Sequence, residues 1–242
     1  MDAERRAVVA SVAPEAPEAA VRGAGFAPVG RAKDAAGALS LLRRLQADLL
    51  LADAVLPGMD GPALAEAVLA LPLRVRPAVL LIAPGGMAVP GAEGLAARNA
   101  ALLPGPAESA AVAAAWAALR ARAPSLPERC EARLRGQLDA LGVPEHPGRR
   151  ALAAAVTLAW WDGRRLVDRK RNLYPQAARM AGMTPAQAER AIRYVIDAAW
   201  RTGAMEEQNR IFGDTIDARR GRPTCGEMIA QLAEHLRWEG YP

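Results

Sequence analysis

Two groups of residues have types and spacing that could do chemistry. The first is a lone carboxylate, Asp53, which ends the apolar run "LLLAD" and is followed by Pro57 and the pair Asp60-Gly61. An acid at the tip of a buried strand, ahead of a turn, raises the question whether it accepts a phosphoryl group. That chemistry needs a metal and fixed cations nearby to offset the charge. The second group is Gln187, Glu189, Arg190 and Arg193 within "TPAQAERAIRYVIDAAWRTG". Arg can hold guanine O6 and N7 with two hydrogen bonds, Gln can do the same for adenine N6 and N7, and Glu can accept from cytosine N4. Glu189 stands four residues before Arg193, so it could instead steady that guanidinium within the helix.

The elements that must carry the second group are announced locally. "LYPQAARMAGMTPAQAERAIRYVIDAAWRTG" reads as a helix, a tight turn and a second helix, with Ala178 and Gly182 four apart as in helix-turn-helix units. Thr184 and Gln187 form a Thr-x-x-Gln capping box, Pro185 sits in the first helical turn where its missing N–H costs nothing, and Gly203 closes the helix. At 100° per residue Ala188, Ala191, Ile192, Val195 and Ala199 share an inward face. Gln187, Arg190, Arg193, Tyr194, Asp197 and Arg201 share the outward one. On an isolated helix such a face would read as ordinary solvated surface with an intrahelical ion pair. A preceding helix and glycine turn favour base reading instead.

Asp53 belongs to a different grammar. The first half alternates strand candidates "RAVVASV", "GFAPVG", "ADLLLAD", "PAVLLIAP" and "NAALLPG" with helices expected at 15–23, 35–46, 61–70, about 91–98 and 107–122. Five strands alternating with five helices predict an α/β unit, a flavodoxin-like parallel sheet covered on both faces. "GGMAVPGAEG" is rich in breakers, which makes the fourth helix the weakest of the set. The second half predicts an all-α unit. "PERCEARLRGQLDALG" is amphipathic, "RRALAAAVTLAWWDG" is apolar nearly all round and so central, two helices span 173–202, and "TCGEMIAQLAEHLRW" is the last. The expected organisation is 1–122, a Pro-bearing linker 123–130, and 131–242.

Composition narrows the function classes. Of 242 residues 52% are hydrophobic but only 4% aromatic, which allows sizeable Ala-, Leu- and Val-rich cores. Cys130 and Cys225 follow neither metal nor disulfide spacing, so a reducing cytoplasm is the expectation. No apolar run is long enough to span a membrane, and acids and prolines interrupt the N-terminus where a signal peptide needs an apolar core. His146 and His235 lack partners at metal spacing, Trp160 and Trp161 read as core, and no nucleophile–base set or phosphate-cradling loop appears. No enzyme is expected. The net charge of +5 is uneven: residues 1–130 hold 13 Lys and Arg against 12 acids, residues 131–242 hold 18 against 14, and "DRKR" occupies 168–171. A basic surface suits nucleic acid, although a solvated Arg-rich surface reads the same from composition alone.

Residues 137–242 resemble the DNA-binding effector domain of the sporulation-initiation response regulators. The likeness rests on "LGVPEHPG", "NLYPQAA", "AERAIRYVIDAAWRTG", "IFGDT" and "RPTCGEMIA", in that order. It implies double-stranded DNA with short repeated operator boxes as the partner. It places base reading on Glu189, Arg190 and Arg193, with Gln187 where the family usually has a basic residue. Arg164, Arg165, Lys170, Arg179 and Arg201 are candidate phosphate contacts. The first half resembles a receiver domain, chiefly over 48–61. A working receiver adds an acidic pair for Mg²⁺, a Ser or Thr, and a Lys. Here Val12 and Ala13 fall at the acidic pair with Glu15 the nearest acid, Ile82 or Ala83 at the hydroxyl, and Gly105 before Pro106 at the Lys. Asp53 is therefore expected to be a phosphoacceptor position that no longer works, with no cofactor and no Mg²⁺. The leading expectation is a DNA-binding transcription regulator independent of aspartyl phosphorylation, with a receiver-like half for homodimerisation or for sensing. The alternatives are a pseudo-receiver module acting on a phosphorelay or sister regulator, and a conventional phosphorylation-activated regulator.

Overall fold

Runs of Val, Leu and Ala bounded by turn residues become strands buried on both faces, as a sheet covered on both sides demands. A computed structural model describes residues 4–13, 16–85, 87–122, 126, 128–203, 205–213, 216 and 220–238. The chain divides into two units, Met1–Ala123 and Pro124–Pro242. In the first, β1 (Arg6–Ala10), β2 (Ala27–Ala32), β3 (Leu49–Asp53), β6 (Ala78–Ala83) and β7 (Ala100–Pro104) form a parallel sheet of order β2-β1-β3-β6-β7. A two-residue-per-strand hairpin, β4 (Val55–Leu56) and β5 (Met59–Asp60), follows β3 and was not foreseen.

Helices α1 (Ala16–Gly23) and α4 (Ser109–Ala121) cover one face, where Val21, Val112 and Leu119 pack on Val9, Leu49, Leu51 and Leu80. Helices α2 (Ala35–Arg44) and α3 (Gly61–Ala70) cover the other, where Leu42, Leu64 and Val68 pack on Val8, Leu50, Val79 and Leu81. Asp34 caps α2 through the Gly37 N–H, and Asp60 caps α3 through the Ala63 N–H, both at ordinary distances. The strand order reverses between β1 and β3, so their carboxyl ends form the crevice where such sheets place their sites. Asp53 stands there. The helix expected at about 91–98 is only a single 3₁₀ turn, Leu95–Arg98, because Gly91 and Gly94 adopt left-handed backbone ahead of it.

The second unit is all helical among its described residues: α5 (Glu128–Ala140), α6 (Pro147–Trp161), α7 (Tyr174–Ala181), α8 (Pro185–Thr202), α9 (Met205–Phe212) and α10 (Cys225–Trp238). A 3₁₀ turn, Gly163–Leu166, and a π turn, Arg169–Leu173, join α6 to α7. Helix α6 is buried nearly all round, and α7, α8 and α10 pack on it. His146 caps its start by accepting the Gly148 N–H on Nδ1 at 3.0 Å, and the same ring lies 4.8 Å from that of Tyr194 on α8. Arg237 is buried and donates to the carbonyls of Ala159 and Trp160, which the end of α6 leaves without helical partners. Trp160 and Trp161 are core.

Two expectations need correction here. Helix α5 begins at Glu128, so residues 128–130, expected as linker, are helical, while 123–125 and 127 lie outside the described residues. Helix α9 was missed. It is short and polar on its outer side, and its burial comes from Ile211 and Phe212, the latter edge-on to Trp200 with ring centroids 5.1 Å apart.

Candidate nucleic-acid interface and the Asp53 crevice

Helix α7 ends on Gly182, whose left-handed backbone (φ 72°) turns the chain toward α8. The capping box is complete. Thr184 Oγ1 accepts the Gln187 N–H at 3.3 Å, and Gln187 Oε1 accepts the Thr184 N–H at 2.9 Å. Ala188, Ile192, Val195, Ile196 and Ala199 are buried, which leaves Gln187, Arg190, Arg193 and Tyr194 exposed on the opposite side. Thr184→Ala is expected to destabilise the helical unit by about 1 kcal/mol, read as a lower denaturant midpoint at unchanged slope.

The base-reading candidates divide into unequal roles. Gln187 spends its carbonyl oxygen on the cap, so only its amide N–H groups remain to donate. A two-bond adenine contact would require the cap to open. Arg193 donates to Glu189 at 3.1 Å, the intrahelical pair that the spacing allowed. Arg190 is exposed and has no carboxylate within ion-pair distance among the described residues. It shares a groove with Gln187, Tyr194, His146 and Arg150, whereas Glu189 and Arg193 face a separate cleft with Arg169, Arg220 and Arg222.

The phosphate candidates are scattered. Arg164 and Arg165 both turn to Asp162, which caps the 3₁₀ turn, and the Arg165 side chain is only 17% exposed. Lys170 is exposed on the π turn, and Arg179 on the last turn of α7. Arg201 is exposed in the last turn of α8, about 16 Å along the axis from Arg190. The sequence reading missed Arg150, Arg169, Arg220 and Arg222. The "DRKR" run pointed at the first turn of that surface, but nothing local links it to residues 220–222.

In the first unit the crevice holds Asp53, and its neighbours differ by one place from the expected alignment. Ala10 pairs with Ala52, so Ser11, not Val12, stands level with Asp53. Ser11 Oγ donates to Asp53 Oδ2 at 2.8 Å, and the Val12 N–H donates to the same oxygen at 3.0 Å. The Ser11 hydroxyl also accepts the Ala13 N–H at 3.1 Å, so acid, hydroxyl and amides clamp the turn after β1. Glu15 lies outside the described residues. Asp53 pairs with Ile82, which puts Ala83 at the next position, and the Gly105 N–H donates to the Ala83 carbonyl at 2.8 Å. A Cβ at Gly105 would stand 2.9 Å from that carbonyl oxygen, so the backbone here has closed over the space a Lys would need. A Mg²⁺ site requires several oxygen ligands of high charge density, and among the described residues the hydrogen-bond partners of Asp53 are a hydroxyl and a backbone amide. Among the described residues no three His, Cys, Asp or Glu side chains gather as metal ligands.

An α/β unit with this strand order, joined in one chain to a helical unit carrying a helix-turn-helix, defines a class: the DNA-binding response regulators. Residues 134–236, within the second unit, match the family described as "Sporulation initiation factor Spo0A C terminal". Solved structures similar to this chain include the signal receiver domain of the putative response regulator NarL from Mycobacterium tuberculosis, 29% identical, covering 49% of this chain and 98% of that one at a TM-score of 0.41. Full-length FixJ from B. japonicum is 19% identical, covering 85% of this chain and 94% of that one at a TM-score of 0.39. RcsB from Salmonella enterica serovar Typhimurium, bound to promoter rprA in the presence of phosphomimetic BeF3−, is 14% identical, covering 85% and 96% at a TM-score of 0.37. Among the described residues no helix is long and apolar enough to cross a membrane.

Proposed function

We propose that this protein is a sequence-specific transcription regulator that reads short repeated operator boxes with α8 and does so without phosphorylation of Asp53. One observation carries the first half of the reading: a capped helix, entered through a glycine turn, exposes Gln187, Arg190 and Arg193 while its other face is fully packed. Arg190 is the leading base reader, because it is exposed and no carboxylate competes for it among the described residues. Arg193 reads or positions according to whether Glu189 releases it.

The second half rests on the crevice. Asp53 Oδ2 already accepts two hydrogen bonds, and a phosphoryl group arriving there would meet neither a metal site nor a Lys. Asp53 serves instead as a clamp on the β1 turn, and the receiver-like unit acts as a dimerisation surface. Selection of bound sequences from a random duplex pool, with the full-length protein and no phosphodonor, tests both halves together. A short enriched box, recurring at a fixed spacing, is the expected result. No enrichment, or enrichment only after phosphodonor is added, would overturn the reading. Incubation with a small phosphodonor and Mg²⁺ is expected to leave the intact mass unchanged. A phosphoaspartate at Asp53 would refute independence from phosphorylation.

A further inference from the structure

The cleft beside α8 has no role so far. It holds about 420 Å³ and is lined by Arg169 from the π turn, Arg193 from α8, and Arg220, Arg222, Thr224 and Gly226 at the approach to α10. Residues more than 50 apart in sequence thus bring four guanidinium groups to one hollow next to the groove-facing side of α8. Their acids are Glu189 on Arg193 (3.1 Å), Asp197 on Arg222 (2.6 Å) and Glu227 on Arg220 (3.1 Å). Among the described residues four cations stand against three carboxylates, one surplus positive charge, and Arg169 is the cation without a carboxylate partner there, held by the Leu166 carbonyl and the Tyr174 hydroxyl. Burial pushes the Tyr174 phenol up to about 12 and raises the Cys225 thiol, so both stay neutral and add no negative charge.

Gly226 explains how Arg169 gets there. It lies in the first turn of α10, where Ala would be the better helix former, yet a Cβ would stand 2.6 Å from Arg169 Cζ. The guanidinium rests against the helix only because residue 226 has no side chain.

We propose that this cleft seats one backbone phosphodiester of the DNA that α8 contacts, flanking the bases that Arg190 and Arg193 address. The proposal rests on the DNA-reading function above. One surplus charge matches one phosphodiester, and Arg193 of α8 lines the cleft. The occupant carries no sequence information, so the seat fixes register and adds salt-dependent affinity.

Gly226→Ala is the sharpest probe, because it evicts a flexible side-chain end, favours the helix and changes no charge; Arg169→Gln is its companion. Full-length protein is titrated with the selected duplex and with a scrambled one over a salt series. Both variants are expected to lose roughly threefold to tenfold affinity on both duplexes, with the salt slope shallower by about one and sequence preference unchanged. Single methylphosphonate substitutions along the duplex should weaken wild type at one flanking position and leave Gly226→Ala indifferent there. An unchanged salt slope in both variants, with methylphosphonate effects identical to wild type, would overturn the seat while leaving the α8 reading intact. Loss of sequence preference on Arg190 replacement is the separate test of the underlying reading.

Discussion

Arg190→Ala is expected to lower affinity for the selected operator by one to two orders of magnitude while leaving binding to scrambled duplex nearly unchanged. A two-bond contact to guanine contributes roughly 1–3 kcal/mol of discrimination against the wrong base, and the exposed guanidinium has no carboxylate partner to lose among the described residues. The helix itself should persist, since Ala is a strong helix former and the cap and buried face are untouched. Arg190→Lys is expected to restore little, because an ammonium cannot reproduce the planar fork. Parallel titrations of both duplexes decide the matter. Equal losses on the two would make Arg190 a phosphate contact and move base reading elsewhere on α8. Arg193→Ala should cost less than Arg190→Ala, because breaking the pair with Glu189 offsets part of what the DNA contact gains.

The second large effect is structural. Gly148→Ala is expected to destabilise the helical unit by about 3 kcal/mol, lowering its thermal midpoint by roughly 10 °C, and to abolish specific binding. A Cβ at Gly148 would stand 2.2 Å from the carbonyl oxygen of Ala191 and 2.6 Å from its carbon. Both are backbone atoms in the middle of α8, so no rotamer change relieves the overlap and the helices must separate. Ala191 lies between Arg190 and Arg193, so the reading surface moves with it. Calorimetry of the full chain should show the loss. An unshifted transition with normal operator binding would mean that α6 and α8 do not meet at Gly148.

The capping box, the glycine turn, Pro185 and the 3.6-residue period of α8 are all local features, and local chemistry is what a sequence states directly. The amphipathic sides of that helix fell largely where its period put them, except that Ile196 is buried without having been named and Ala191, named as inward, is half-buried. The five parallel strands were legible for a similar reason: each is a short apolar run between turn residues. The fourth helix and α9 were misread where that local signal is weak. Breaker-rich "GGMAVPGAEG" could not sustain a helix, while "MEEQNRIF" becomes one because Phe212 finds Trp200.

By itself, then, the sequence determined a sheet unit ending a strand on Asp53 and a helix-turn-helix offering Arg190 and Arg193, because periodicity and caps are properties of neighbours along the chain. Tertiary structure alone decided the rest. The register of β1 against β3 set Ser11 level with Asp53, so that the Ser11 hydroxyl and the Val12 N–H both reach its carboxylate, since a run of small apolar residues carries no mark of which one faces its partner strand. It also closed the backbone of Gly105 over the place of a Lys, and laid Arg169 on Gly226 beside Arg193. Those two outcomes depend on which distant atoms fill a given space, and only the packed chain assigns that space.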